Sequence, residues 1–574
     1  MSASDKKKLR KEQNMAAMTE KQKKEAKQAK ELKKYTVTFA VIMILVFAVV
    51  IGATVRTPIA SLINRNTHAF TVGEHQLSTT DFNYYYVDAI NTYYKSVYDQ
   101  YYQTFGSYWA MMLGFNLNSP LNEQIFDEEK NMTWADHFVD QAIADIKTIY
   151  ALYDEGVKNN HEMSDSEKTS LENAVTSKAY EATYYGYSSA ESYLRSSYGF
   201  GANEETYRKY CTAKHYASSY FNKYRDALEF TDEQIKEYQN GDKYNNFSSF
   251  SFAYYAVNVS SYLVGGVKDE SGKVTYTDEQ KAAALAAARK DAETLQNSGA
   301  TSKELLDNAI KALEINKDNS SVAATLSEKV FYESITYVDI RDWVADADRK
   351  VNDIGILTAT DDSSSTTDDE HDHEDGETND ENTEDKTEEE IKDEDITGFV
   401  VVLFLGRDDN LTQLVNVRHI LFEYSGAYYE DGELKFAESK KKEAKENAEK
   451  ILQQWKDGEA TAESFGVLAN ENSDDSDGTD GGLYERVYPG QMVDAFDAWC
   501  FDAERKPGDT GIVETEYGCH VIYYQEQLAE TYRDYLVKET MRDEDSEKWV
   551  DALKEKVTTE KVNLSGIEWD FIVQ

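Results

Sequence analysis

The sequence predicts an α+β protein of several domains behind an N-terminal membrane-anchor helix. Three observations carry that reading. Residues 35–55, YTVTFAVIMILVFAVVIGATV, hold no charge and follow a basic leader. A mixed strand and helix pattern fills Val415 to Gln525. A second stretch of the chain, Trp343 to Gly398, repeats part of that pattern. At 574 residues the chain exceeds one ordinary domain.

The apolar run has the length that one membrane-spanning helix needs. Lys6 to Lys34 precede it and are basic and polar, which sets that side in the cytoplasm and everything after Arg56 outside. A cleaved signal peptide is the competing reading. The long basic leader and the lack of a small-x-small cleavage site favour a retained anchor. No Cys follows the run closely, so a lipoprotein anchor is excluded.

After the anchor, AFTVGEHQL (Ala69 to Leu77) predicts a short strand pair around Gly73. Ser78 to Tyr102 predicts a helix with Phe82, Tyr85, Tyr86, Ala89, Ile90 and Tyr93 on one side. From Thr133 a second helix carries Ala135, Phe138, Ala142, Ile143, Ile146 and Tyr150 as its apolar stripe. Ser164 with Glu167 and Thr231 with Gln234 have capping-box spacing. Residues 56–240 are therefore expected to form a helical domain. Its many tyrosines suit large, partly wet surfaces.

Val415 to Phe422 is a short apolar run around one His and predicts a strand. Ala444, Ala448, Ile451, Leu452 and Trp455 stand at helical spacing. Gly481-Gly482 and Pro489-Gly490 mark turns, the second suited to a type II turn. Gly511 to Glu514 and His520 to Tyr524 predict a hairpin.

The words RHILF, ESF-x3-A, GGL, GQMV-x2-F, KPGD-x-G and YG-x-H come in fixed order over a domain-sized span. This stretch resembles the parvulin family of peptidyl-prolyl isomerases, and residues 411–527 are identified as a member on those six words. The resemblance implies isomerisation of X–Pro bonds without a cofactor or metal. It implies that Leu483, Met492 and Phe496 form the proline pocket and that Gln491 brings backbone near the substrate. It implies a network of His419, His520 and Thr515 beneath the pocket, with Asp475 where many parvulins carry Cys and others Asp. Glu423 to Glu433 lack Lys and Arg, which argues against phosphate-directed substrates. A short strand and tyrosine-rich helices ahead of such a domain resemble the chaperone domain of secreted foldases. An ordinary helical domain without a peptide-binding role is the plain alternative.

WVADADRKVNDIGIL from Trp343 parallels WCFDAERKPGDTGIV from Trp499, and each leads to a β-rich run opening on Gly, at Gly398 and Gly518. SFAYYAV ahead of a capping-box helix (Thr277 with Gln280) parallels RHILF and its helix. Residues 241–410 are therefore expected to be a degenerate second copy. Val400 stands where His520 stands, Val351-Asn352 replaces Pro507-Gly508, and the GGL and GQM words are missing. Expected consequences are that Ile356 and Val401 share a sheet, and that the strand at Phe252 to Val257 joins it. An acidic insert, 361–396, interrupts this copy at a hairpin tip. Asp361 to Asp395 hold 19 Asp and Glu against two Lys, and such a block is expected to stay solvated and disordered. His371 and His373 within it are weak candidates for a cation, and no metal site is assigned. Residues 528–574 predict a helical tail, with GIEWDFIV as an edge strand; the resemblance to secreted foldases implies that this tail returns to complete the first domain.

Net charge of −46 argues against a nucleic-acid partner. Three cysteines give no disulfide framework. Cys500 and Cys519 are expected as buried apolar side chains, a bridge between them being the alternative. The expected function is a membrane-anchored extracytoplasmic isomerase and chaperone whose partners are unfolded secreted polypeptides. A non-catalytic holdase is the alternative, and a cation-buffering surface protein a third.

Overall fold

The structure is a computed structural model. It describes residues 3–16, scattered positions from 24 to 43, and 56–268, 272–360, 391–430, 433–475 and 481–567. Most of the expected anchor (35–55), most of the acidic insert with His371 and His373 (361–390), and the closing 568–574 lie outside the described residues. Among the described residues no helix is long and apolar enough to cross a membrane. The chain divides into two compact units, Met1–Glu229 with Arg542–Gln574, and Phe230–Met541. The expected boundary near residue 240 thus falls about one helix earlier in the fold.

The first unit is mostly helical. Strands β1 (His68–Val72) and β2 (His75–Ser78) turn at Gly73. Helix α1 (Thr79–Phe105) follows directly, capped by a reciprocal pair of Ser78 and Asp81. Helices α2 (Trp134–Lys158), α3 (Asp165–Tyr184), α4 (Ala190–Tyr198) and α5 (Glu204–Asp226) complete it. Each begins on a residue whose side chain accepts from an orphan backbone N–H. The core is aromatic: Phe70, Phe82, Tyr84, Tyr86 and Phe138 are all fully buried. The C-terminal residues return to this unit. Trp549 stacks on Tyr224 at 3.7 Å, and Leu553 packs with Ala151, Leu152 and Ala217. The returning edge strand is Thr559–Lys561, paired antiparallel with β1. The stretch GIEWDFIV lies mostly outside the described residues.

The second unit holds two sheets of one topology. After α6 (Asp232–Tyr238), the first is built from β3 (Ser249–Asn258), β4 (Thr325–Phe331), β5 (Ile354–Thr360) and β6 (Ile396–Asp408). Its order is β4-β3-β6-β5, all antiparallel. Ile356 pairs with Val401 in it, and Phe252 to Val257 form part of β3. Helices α7 (Asp278–Gln296) and α8 (Lys303–Ala312) bury Ala288, Ala292, Leu295 and Ile310 on one face. On the other face α9 (Val338–Ala345) buries Ile340 and Val344 with Phe252 and Val402.

The second sheet is built from β7 (Gln413–Glu423), β8 (Leu483–Val487), β9 (Thr510–Glu514) and β10 (Gly518–Thr531), in the order β8-β7-β10-β9. In both sheets the strands therefore lie in the order second, first, fourth, third. Helices α10 (Glu438–Asp457) and α11 (Ala462–Asn472) cover one face with Ala444, Ala448, Ile451 and Phe465. Helix α12 (Asp494–Cys500) covers the other.

The two sheets also share local chemistry. Arg349 lies over the Trp343 ring at 3.8 Å, and Arg505 over Trp499 at 4.0 Å. Each Arg Nε donates to the carbonyl of its own Trp, at 3.0 and 3.1 Å. A Cβ on Gly355 or Gly511 would lie 2.4 Å from the matching indole. Asn352 and Gly508, both at positive φ, donate to the carbonyls of Phe404 and Tyr524, each at 2.8 Å. Helix α13 (Tyr532–Lys554) belongs to this unit as far as Met541.

Candidate active site

The site lies on the α12 face of the second sheet. His419 is on β7 and His520 on β10. Across the strand pair His419 faces Ile522, two residues from His520. That diagonal relation puts both imidazoles on one face of the pleat. Their Nδ1 atoms are 3.3 Å apart, with the rings stacked.

Both rings have a second partner. His419 Nε2 is 3.0 Å from Asp475 Oδ2. His520 Nε2 is 2.9 Å from Thr515 Oγ1. An ionised Asp475 accepts only, so His419 carries its proton on Nε2 and its Nδ1 accepts. His520 then donates from Nδ1 and accepts at Nε2 from the Thr515 hydroxyl. One direction of donation, Thr515 to His520 to His419 to Asp475, satisfies every member with both histidines neutral.

Burial favours that protonation state. His419 and His520 are only 3% and 7% exposed. Burial pushes His419 down, against the Asp475 carboxylate, which raises it. Burial, and then the neighbouring His419, push His520 down to about 4, again opposed by Asp475.

Local structure fixes the acceptor. Residues 473–475 run beside β7: Asp474 N–H donates to the Leu421 carbonyl at 2.9 Å, and Leu421 N–H donates to Ser473 Oγ at 3.1 Å. Asp475 follows, opposite His419. The Tyr484 hydroxyl donates to the same Oδ2 at 2.9 Å, and its ring lies 4.7 Å from that of His419. Gly482, two residues before Tyr484, has φ +66°, and a Cβ there would sit 2.1 Å from the His419 carbonyl oxygen. Only glycine lets the chain pass.

Of the expected pocket residues, Phe496 is edge-on to both imidazoles, at 5.8 and 5.4 Å. Met492 packs into the same cluster with Val417 and Ile522. Gln491 is exposed, and its Oε1 accepts from the Tyr488 N–H at 3.1 Å. Leu483, on β8, pairs with Arg418 of β7 and belongs to none of the buried clusters. The ring beside the histidines is that of the next residue, Tyr484. Sequence reasoning missed Tyr484, although an aromatic hydroxyl directly after GGL was the available signal.

The cysteines are unpaired. Cys500 is in the α12 core and Cys519 in the α10 core, on opposite faces of the sheet. Among the described residues no group of three or more His, Cys, Asp or Glu is placed to hold a metal.

Residues 404–528 match the family model of the PPIC-type PPIASE domain. This segment is a parvulin-type peptidyl-prolyl isomerase domain. Solved structures similar to the chain include the peptidylprolyl isomerase PrsA from Bacillus cereus, at 22% identity over 25% of this chain and 49% of that one, TM-score 0.16. PrsA from Bacillus subtilis is 24% identical over 25% and 49%, TM-score 0.17. PrsA from Bacillus anthracis is 19% identical over 26% and 61%, TM-score 0.17. The chain thus matches less than two thirds of each. No curated protein matches the chain. The parvulin segment begins within β6 and ends within β10, so the first sheet lies almost wholly outside it.

Proposed function

We propose that the protein is a membrane-anchored, extracytoplasmic peptidyl-prolyl cis–trans isomerase and chaperone acting on unfolded secreted polypeptides. The observation that carries the catalytic part is the buried chain of donors from Thr515 to Asp475, beside Met492 and Phe496 in a parvulin-type segment.

Isomerisation breaks no bond. The barrier, about 18–20 kcal/mol, is the amide resonance itself. The planar imide is the more polar form, and the twisted one has lost its charge separation. An apolar pocket that withholds water from the imide carbonyl therefore favours the twisted state. Met492 and Phe496 supply that wall. Two neutral histidines add no net positive charge beneath it, and their chain of donors fixes the orientation of both rings. The roles of His419, His520, Thr515 and Asp475 are thus to set geometry and polarity around a rotating bond.

The first sheet reads as a second copy whose pocket is gone. The common strand order and the Trp–Arg–Gly contacts support this. By register Tyr254 takes the place of His419 and Val400 that of His520, and both pack in an apolar cluster. Anchoring rests on the uncharged residues 35–55 and the basic leader. One observation favours a holding activity beside catalysis: Tyr98, Tyr102, Phe105, Tyr108, Met111 and Met112 are exposed within one short stretch of the first unit.

The test is isomerisation of a proline tetrapeptide by the full chain. The double substitution His520→Ala, Met492→Ala is expected to lower kcat/KM by about tenfold or more, the loss of a buried hydrogen bond and one pocket wall. Val400→Ala should leave the rate unchanged. Wild-type activity in the double variant refutes the site. Suppression of client aggregation that survives in that variant would separate holding from catalysis.

A further inference from the structure

The turn that leads into the pocket is held by residues beyond its own sheet. Tyr488 to Gln491 close a turn in which Gln491 N–H donates to the Tyr488 carbonyl at 3.1 Å. Gly490 has φ +86° there, as the third residue of a type II turn requires. Two further bonds tie the turn: Tyr488 N–H donates to Gln491 Oε1 at 3.1 Å, and Gly490 N–H to Asp497 Oδ1 at 2.8 Å. Met492 is the next residue, and Phe496 follows on α12.

The Tyr488 side chain leaves this loop and lies flat on Tyr532, ring centroids 4.3 Å apart and planes within 2°. Tyr535 adds a third, nearly parallel ring 6.3 Å from Tyr488. Tyr532 is the first residue of α13. Its N–H donates to the Thr412 carbonyl at 2.8 Å. On another side it meets Phe331, the last residue of β4, edge-on at 6.5 Å. Its neighbour Arg533 is buried and donates to the Tyr244 carbonyl at 2.6 Å and to Gln239 Oε1 at 2.6 Å, with its guanidinium 3.8 Å over the Tyr244 ring. The ring on which Tyr488 rests is therefore fixed by the tail helix and by the first sheet's own surroundings.

We propose that Tyr488 and Tyr532 are positioning residues of the isomerase pocket, with Phe331 of the catalytically silent sheet backing their stack. The inference rests on the isomerase reading above. Without the stack, the turn keeps its three hydrogen bonds but can pivot about Gly490, and Met492 moves with it. The histidine chain is not touched, so binding should weaken while turnover at saturation holds.

The test uses the full chain and a proline tetrapeptide. Tyr488→Ala and Tyr532→Ala are each expected to raise KM about two- to tenfold, the range of an aromatic pair, with kcat near wild type. Tyr488→Phe and Tyr532→Phe should restore KM, because stacking needs the ring and not the hydroxyl. The double Ala variant should be no worse than either single one. Unchanged KM, or Phe variants as impaired as Ala variants, overturns the proposal. Tyr532→Leu, which keeps apolar bulk without a stacking plane, serves if the Ala variant fails to fold and should raise KM in the same way. Amide hydrogen exchange at Gln491 gives a readout independent of activity: it should be faster in Tyr532→Ala or Tyr532→Leu than in wild type. If the wild type does not isomerise the peptide, the isomerase reading fails while this exchange result still decides the role of the stack. Equal exchange rates count against it.

Discussion

Acid should undo the histidine pair well below the pH at which ordinary histidines titrate. His520 is held at about 4 by burial and by His419, against about 6.5 for an unperturbed histidine. Above pH 6.5 the ring is neutral in the folded and the unfolded chain, and its contribution to stability is fully present. Between 6.5 and about 4 the unfolded chain takes the proton first, so stability is lost as pH falls. Below about 4 both states are protonated and the loss is complete, at about 3 kcal/mol. His419 moves in the same direction. A proton on His419 Nδ1 leaves two donors facing each other, and one on His520 Nε2 removes the acceptor of the Thr515 hydroxyl. The chain has 107 Asp and Glu, whose own titration dominates total stability in acid. The quantity to measure is therefore the difference in urea unfolding free energy between wild type and His520→Val, which installs the residue that the first sheet carries at the matching register position. That difference should shrink by up to about 3 kcal/mol from pH 7 to pH 4. In parallel, histidine side-chain NMR should find the His520 midpoint far below the unperturbed value of about 6.5. A His520 midpoint near 6.5, or a difference independent of pH, refutes the neutral, buried pair.

Gly355→Ala and Gly511→Ala should each destabilise by about 1–3 kcal/mol, since the new Cβ meets an indole that cannot retreat from its Arg; thermal unfolding of the full chain checks this, and a wild-type midpoint in both would show that the Trp contacts are slack. Deleting residues 363–390 should leave isomerase activity and cooperative unfolding intact, because Thr360 and Ile396 already pair with one another across the insertion point.

The sequence made some of this legible because strands and caps are local. His419 and His520 stand in β-rich runs with apolar neighbours, and a period of two sets which residues share their face. Their hydrogen bond, however, depends on register: His419 faces Ile522 rather than His520, and no local pattern encodes that offset. Ser164, Thr231 and Thr277 announced their helices, each through a side chain that accepts from the N–H three residues on. Asp475 could be assigned by its place among the family words, but its contact with His419 comes from residues 473–475 pairing along β7, a long-range event. Tyr484 went unnoticed for the same reason, since its hydroxyl acts only once Asp475 has been brought beside it. The returning strand at Thr559–Lys561 went unread in the sequence. The residues that pair with β1, Thr559 to Lys561, are exposed, and an edge strand with little to bury leaves little trace in hydrophobic pattern.

What the two sheets keep in common, and what they do not, separates packing from chemistry. The retained features are the strand order, the Arg over its Trp, the glycine against the indole and the positive-φ residue that donates to β6 or β10. Each serves the meeting of α9 or α12 with its sheet. The features confined to the second sheet are His419, His520, Asp475 and the Tyr488–Gln491 turn, and each either faces the pocket or leads into it. In the first sheet the same face is closed by Phe252, Tyr254, Ile340 and Val400, side chains that stabilise by burial and need no partner for a polar atom within that cluster. A lone histidine at position 400 would find no imidazole at Tyr254 to accept from it or donate to it. Converting Val400 to His should therefore destabilise the first sheet and create no second active centre. Both Tyr254→His and Val400→His are the least needed to restore the pair.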